Sequence, residues 1–128
     1  MNNVSTLMPH ESAPIETEAL QILKSNLGAG AGQDVISRAA GAVVDRMDQL
    51  EGALLCGDLA EVAKLARRLS KIADHIGMQK FSQIAGDLES CAHASDLNAV
   101  AAVSGRLQRV GPLNVCDVVH LSEKPTPV

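Results

Sequence analysis

Aromatic side chains are almost absent from this chain, which has no tryptophan, no tyrosine and a single phenylalanine, Phe81, among its 128 residues. Proteins that bind single-stranded nucleic acid without sequence preference stack the bases on such rings, so this mode of binding is not expected here. Leucine, isoleucine, valine, methionine and alanine must therefore build the core. Because alanine and leucine lead the scale of helix propensity, the composition favours closely packed helices.

An excess of positive charge and long apolar runs are also missing. The formal net charge is -4, which argues against nucleic acid as the main partner. No apolar run approaches the roughly 20 residues that a membrane-spanning helix needs. Residues 1–14 lack a basic region followed by an apolar block, so we expect no secretion signal. These features together predict a cytoplasmic protein that has no membrane partner.

Cysteine is scarce, and the three cysteines Cys56, Cys91 and Cys116 are widely spaced. A disulfide framework usually has an even number of closely spaced cysteines in a smaller secreted chain, so we expect buried, reduced thiols. Cys91, His93 and Asp96 offer three candidate metal ligands, but residues two apart on a helix point to roughly opposite sides. We expect neither a metal site nor a cofactor.

The chain is long enough for one domain, and its first part combines a polar tail with a short helix. Residues 1–14 contain two prolines and show no periodicity, which is typical of a flexible tail. Residues 15–27 have apolar residues at helical spacing, and Gly28 is suited to end that helix. The stretch "GAGAG" at 28–32 lacks the context of a nucleotide-binding loop and is predicted to be a flexible joint.

Four longer segments, residues 33–56, 59–76, 78–93 and 97–110, repeat apolar residues at spacings of three and four. This pattern predicts amphipathic helices that bury one face. The residues predicted to face the core are Ile36, Ala39, Val43, Met47, Leu50 and Leu54; Val62, Leu65, Leu69, Ile72 or Ala73, and Ile76; Phe81, Ile84, Leu88 and Cys91; and Val100, Val103, Leu107 and Val110.

The connections between these helices carry recognisable end signals. Gly57 suits a helix end, and Asp58 followed by Glu61 three residues later matches a capping box. Gly77 marks the next helix end, and Asp96 or Ser95 is predicted to cap the last helix. No segment alternates with a period of two, so no sheet is predicted.

The predicted fold is therefore all-α: an antiparallel four-helix bundle with a short extra N-terminal helix that caps one end. The bundle is expected to span residues 15–110. Gly111-Pro112 is expected to interrupt the last helix, because proline cannot donate to the helical hydrogen-bond ladder. Residues 111–128 are then a C-terminal extension, partly helical and disordered at its end.

The segment from 59 to 93 resembles the histidine phosphotransfer (HPt) domain of bacterial multistep phosphorelays. The family's pattern runs Ala-His-x-Leu-Lys-Gly-x-Ala, followed by a small loop with an apolar residue and glycine and then by a second helix. The resemblance extends over roughly residues 15–110 and implies a four-helix bundle that docks on receiver domains. The framework positions matched without a gap are Ala66, Leu69, Ala73, Ile76 and Gly77, and the register continues through Met78, Phe81, Ile84 and Leu88.

The chemical positions of the family's motif are replaced in this chain. Arg67 stands where the family has its phosphorylated histidine, Ser70 where it has lysine, and Lys71 where it has glycine. A guanidinium group stays protonated and has no free nucleophilic nitrogen, so Arg67 cannot take over phosphotransfer. The resemblance thus implies a non-catalytic member of the family, a pseudo-HPt module without a catalytic residue, and not an enzyme.

The chain's own histidines leave an alternative open, in which another histidine such as His75 makes the protein an active phosphocarrier. His75 lies eight residues after Arg67, which is about 80° around a helix at about 100° per residue. Met78 and Gln79 follow it at the places where a cation would be needed. We expect His75, His10, His93 and His120 to be surface histidines.

Lys64, Arg67, Arg68 and Lys71 recur at i, i+3, i+4 and i+7 and form a basic ridge on an acidic protein. The simplest interpretation is a solvated helix face, with acidic residues at pairing distance on the same helix. In the HPt family this surface meets the carboxylate-lined pocket of a receiver domain, and arginine forms forked bonds with carboxylates. We therefore expect binding of a response regulator receiver domain or a histidine kinase. The predicted partner-binding residues are Lys64, Arg67, Arg68, Ser70 and Lys71.

A third interpretation is a helical structural or dimerisation module that is unrelated to phosphorelays and forms a homodimer. An exposed apolar patch on the second or fifth predicted helix would favour this interpretation.

Overall fold

The computed structural model describes residues 15–123, and these residues form five α-helices and no strand. The all-α class predicted from the sequence is thus confirmed for this part of the chain. Residues 1–14 and 124–128, predicted as a flexible tail and as the end of the C-terminal extension, lie outside the described residues. None of the five helices combines the length and the apolar character needed to cross a bilayer. The helices are α1 Thr17–Leu27, α2 Ala29–Cys56, α3 Leu59–His75, α4 Gln79–His93 and α5 Leu97–Ser122.

The helix ends at two connections are set by local chemistry, as the sequence predicts. Gly57 adopts a left-handed conformation at φ 72°, and its N–H donates to the Leu54 carbonyl at 3.2 Å. The Asp58 carboxylate then accepts from the Glu61 N–H at 3.1 Å and begins α3. The Asp96 carboxylate caps α5 in the same way, at 3.1 Å from the Ala99 nitrogen.

Each helix packs against the next one along the chain, and α2 also packs against α5. The most extensive of these contacts joins α3 to α4. Most residues of the predicted apolar stripes are fully buried, which shows that these stripes face the common core. Of the two alternatives given for α3, Ala73 is buried and Ile72 is only partly covered. The predicted core residues that are partly buried against the core are Ala39, Met47, Leu54, Ile72, Cys91 and Val103.

The start of α1 is held against the turn between α3 and α4. The Glu16 N–H donates to the Gly77 carbonyl at 2.8 Å. Gly77 has a φ of 79°, and a Cβ atom there would lie 2.5 Å from the Glu16 carbonyl oxygen. Leu20 then anchors α1 in the core. Glycine at 77 therefore serves both the turn and the attachment of α1.

The prediction of a flexible joint over residues 28–32 is wrong. Only Gly28 lies between helices, and α2 begins at the next residue. The Gly32 N–H donates to the Gly28 carbonyl at 2.8 Å, which closes the first turn of α2. A Cβ atom at Gly32 would lie 2.8 Å from Lys24 Cα. The glycine is needed because the backbones of α1 and α2 approach each other closely here.

The predicted interruption at Gly111-Pro112 is also wrong, because α5 continues through both residues to Ser122. Proline removes one backbone donor, which leaves the Gln108 carbonyl without its helical partner. Gln108 and Pro112 are both exposed, so water can reach that carbonyl. Gly111 is buried, and a Cβ atom there would lie 3.0 Å from Phe81 Cε2. The continuation of α5 also buries Val118 and so contributes to the core.

The cysteines differ from the expectation of buried thiols. Cys56 and Cys116 are exposed and Cys91 is half-buried, and all three are free. Cys56 is the last residue of α2, and Cys116 lies on the outer side of α5, so neither belongs to the core.

Candidate functional site

The basic ridge lies on the outer side of α3 because the apolar stripe of this helix faces the opposite way. Val62, Leu65 and Leu69 are fully buried. The four ridge residues lie on the other side of the helix, and all four are exposed. The predicted partner-binding residues Lys64, Arg67, Arg68 and Lys71 therefore share one accessible surface.

These side chains form one wall of an open groove between α3 and α4, with a volume of about 430 Å³. Ala60 and Ala63 of α3 also line the groove, and α4 contributes Glu89 and His93. Neither Glu89 nor His93 is predicted from the sequence to lie beside the ridge. They could be found only from the packing of α4 against α3, because the apolar periodicity of one helix does not show which helix lies beside it.

Ser70 has a different position from the other predicted partner-binding residues. It is half-buried and is not among the residues that line the groove. Its hydroxyl oxygen lies 2.9 Å from that of Ser82 on α4. The Ser82 hydroxyl also donates to the Ser70 carbonyl at 3.0 Å. Ser70 is thus engaged in joining α3 to α4, and its predicted contact with a partner stays a prediction.

The bond between Ser70 and Ser82 also fixes the register of the two helices. They are joined by a short turn at Gly77, so residues at equal distances from this bond lie level with each other. Glu89 is then level with Ala63, near one end of the groove, and Arg67 is level with Ala85. The α4 residues that line the groove, Glu89 and His93, thus lie towards the Ala63 end, and Ala85 itself is fully buried.

No described residue neutralises the positive charge of the ridge. Among the described residues, none of the four ridge cations makes an ion pair or a side-chain hydrogen bond. Glu61 and Asp74, the acidic neighbours that would accompany an ordinary solvated face, form no ion pair with the ridge. Glu89 lies 3.6 Å from His93 Nε2 instead.

The histidines of the described chain lie on the surface, as predicted. His75, His93 and His120 are all exposed. The His75 Nδ1 lies 2.7 Å from the Lys71 carbonyl oxygen, and this bond requires the proton on Nδ1. His10 lies outside the described residues.

No group of three metal-ligating side chains comes together in residues 15–123. Cys91 is half-buried and His93 is exposed, in line with their expected orientation to different sides of α4. The candidate set of Cys91, His93 and Asp96 therefore does not form a site in the structure.

Exposed large apolar side chains are confined to α1, α2 and α5 among the described residues. On α2 and α5 they accompany two further open grooves. One has a volume of about 490 Å³ and is lined by Leu55 and Leu97, and the other, of about 300 Å³, by Val44 and Pro112. The exposed large apolar residues are Ile22, Leu27, Val35, Val44, Leu55, Leu97 and Leu113.

No family model matches the chain, and neither a curated protein nor a solved structure shows significant similarity to it.

Proposed function

We propose that α2 to α5 form an antiparallel four-helix bundle of the HPt type, with α1 as an extra helix at one end. The ring of contacts from α2 through α3 and α4 to α5 and back to α2 supports this arrangement. Short connections between successive helices support an antiparallel course. The bundle in this proposal extends beyond residue 110, because α5 runs on to Ser122.

The function that we propose is non-catalytic signalling: the protein binds a receiver domain or a histidine kinase of a bacterial phosphorelay without carrying phosphate. One observation carries the proposal: Arg67, which the resemblance aligns with the family's histidine, is exposed on α3 and forms no ion pair with another described residue. A buried or ion-paired Arg67 would have had a structural role instead. The proposal places the protein in the cytoplasm and requires no cofactor, nucleic acid or membrane.

The contact would be electrostatic and made by side chains. The phosphorylation pocket of a receiver domain presents carboxylates, to which arginine can donate two parallel hydrogen bonds. Lys71 replaces the glycine that lets partners of the family approach the helix closely, so the partner would meet a long side chain there. Ser70 is held by Ser82 and would contribute by keeping α3 and α4 in register.

The test is the affinity of this protein for purified receiver domains and histidine kinases of its source organism, measured by titration calorimetry. We expect the double substitution Arg67→Glu and Lys71→Glu to weaken binding at least tenfold, because it reverses two charges at the contact. Arg38→Glu on α2 is the matched control, since Arg38 is also exposed on a helix. Binding should weaken as salt rises. Unchanged affinity of the double variant for every partner would refute the proposal.

The same partners distinguish a binder from an active carrier. Incubation with phosphorylated receiver domains or kinases should leave no acid-labile label on the protein. Label that appears on the wild type and is lost in His75→Gln would show that the protein carries phosphate on His75 instead. The exposed His75 ring, with Nδ1 bound to the Lys71 carbonyl, makes this variant the informative one.

A second candidate function is that of a helical dimerisation module, and it is favoured by the exposed apolar residues on α2 and α5. Leu55 is 83% exposed and Leu97 is 67% exposed beside the groove that these helices form. Exposed apolar groups of this kind mark protein interaction sites when they are contiguous. A homodimer through this side is compatible with both candidate functions, because it leaves α3 accessible.

A further inference from the structure

The charge of the groove between α3 and α4 is strongly unbalanced. Its lining contains the four ridge cations and a single carboxylate, that of Glu89. Glu89 is paired with His93 and makes no ion pair with the ridge. Like charges three and four residues apart on a helix destabilise it. An anion in the groove would relieve this repulsion, and none of the carboxylates among residues 15–123 pairs with the ridge.

The shape of the groove allows an anion to reach the ridge from one side. The α4 wall is formed by Glu89 and His93 near the end of the groove that is level with Ala63. Gly86 lies one turn before Glu89 on the same face of α4 and is roughly level with Arg67. A Cβ atom at Gly86 would have no neighbour within 4 Å, so the space beside this wall is open. An anion can therefore contact Arg67 without passing a carboxylate.

The dimensions of the groove fit a small, elongated ligand. Lys64 and Lys71 are about 10 Å apart along the axis of α3, at a rise of about 1.5 Å per residue. The volume of about 430 Å³ lies within the range of roughly 300–1,000 Å³ that is usual for small-molecule sites.

The chemistry of the lining restricts the class of ligand. Among the described residues, the imidazole of His93 is the one ring in the lining, and it lies 3.6 Å from Glu89. No hydroxyl or amide side chain of these residues lines the groove, so it offers little to select a base or a sugar. Guanidinium groups bind phosphate oxygens in pairs, and lysines add point charges. The groove is thus equipped to recognise several phosphates in a row and little else.

We propose that this groove is a binding site for a short linear oligophosphate, with Arg67 and Arg68 as the central ligands and Lys64 and Lys71 at the two ends. The site does not depend on the proposed signalling function. One consequence does rest on that function: a bound oligophosphate would compete with a receiver domain, because both would use Arg67 and Lys71.

The test is titration of the full chain with inorganic tripolyphosphate, followed by calorimetry at constant ionic strength. We expect one site that binds tripolyphosphate at least tenfold more tightly than inorganic phosphate. Amide signals of α3 residues 64–71 and of α4 residues 86–93 should shift in heteronuclear NMR spectra, and those of α2 should not. Equal affinity for both anions, or shifts spread over the whole chain, would overturn the proposal in favour of charge screening.

Variants locate the site on the groove. Arg67→Gln combined with Arg68→Gln should weaken tripolyphosphate binding at least tenfold, whereas Arg38→Gln on α2 should have no effect. Gly86→Glu retains every cation and adds a carboxylate to the open wall, so it should weaken binding as well. Circular dichroism checks that each variant is folded. Binding that survives both groove variants would contradict the proposal even if a receiver domain binds the wild type.

Discussion

At the scale of single residues, the glycines fall into two kinds that the sequence does not distinguish. Gly77 and Gly111 are required by their surroundings, because the Glu16 carbonyl and the Phe81 ring occupy the space that a Cβ atom would need. Gly41 and Gly52 lie inside α2, and a Cβ atom at either position would have no neighbour within 4 Å. Gly41 and Gly52 therefore lower the stability of α2 relative to alanine, and no close contact requires a glycine at either position.

Gly41→Ala and Gly52→Ala should therefore each raise the free energy of unfolding by about 0.5–1 kcal/mol, the usual difference between the two residues inside a helix. Urea denaturation followed by circular dichroism measures this change. Gly77→Ala is the contrasting variant and should destabilise the protein, since its φ of 79° and the 2.5 Å approach to Glu16 both exclude a side chain. A loss of stability in Gly41→Ala or Gly52→Ala would mean that the outer side of α2 is not free.

At the scale of helices, α5 contains a proline that disfavours a continuous helix, whereas the packing of α5 against the core favours one. Pro112 sits inside this helix and removes the donor for the Gln108 carbonyl, yet the helix continues for ten more residues to Ser122. Buried residues on both sides of the proline, such as Val110 and Val118, hold the two parts against the core. The gain from this burial exceeds the loss of one hydrogen bond.

Pro112→Ala should stabilise the protein by roughly 1–3 kcal/mol, because it restores the missing hydrogen bond and relieves the clash of the ring with the preceding turn. The free energy of unfolding and the Tm both report the effect. Leu113→Ala is a suitable control, since Leu113 is the next residue and is also exposed; surface changes of this kind usually stay within about 0.5 kcal/mol. Destabilisation by Pro112→Ala would show that the proline ring, which lines the groove beside Val44, contributes packing.

At the scale of the whole molecule, two chemically different sides are separated. The basic ridge lies on α3, beside α4, whereas the exposed apolar side chains lie on α1, α2 and α5 within the described chain. In the proposed bundle, the α3–α4 side and the α2–α5 side are opposite to each other. One side is thus suited to an acidic partner or ligand and the other to an apolar one.

We predict that the protein forms a homodimer through α2 and α5, because water-exposed Leu55 and Leu97 would become buried there. Analytical ultracentrifugation over a range of concentrations measures the association. Leu55→Lys combined with Leu97→Lys should shift the equilibrium to the monomer and leave the helix content unchanged. Lys71→Glu on the opposite side should leave association as in the wild type. A wild-type protein that stays monomeric at every concentration tested would exclude this interface.

Features that depend on neighbours along the chain could be predicted from the sequence. The apolar spacing of α2 to α5 assigned their buried faces and, by exclusion, placed Arg67 and the rest of the ridge outside. Asp58 and Asp96 marked the starts of α3 and α5, because an N-cap side chain bonds to a backbone N–H three residues away.

Features that depend on residues far apart in the chain are set by how the helices pack. Gly32 was predicted to lie in a flexible joint, and Gly111 was predicted to lie at a break caused by Pro112. Close contacts with Lys24 and Phe81 explain why both glycines stand inside helices. Glu89 and His93 lie beside the ridge only because α4 packs against α3. The exposure of the cysteines likewise depends on which helices cover them. Helical periodicity describes one helix at a time, whereas a groove and a core are formed by surfaces of several helices, whose pairing is set by the packing of the whole chain.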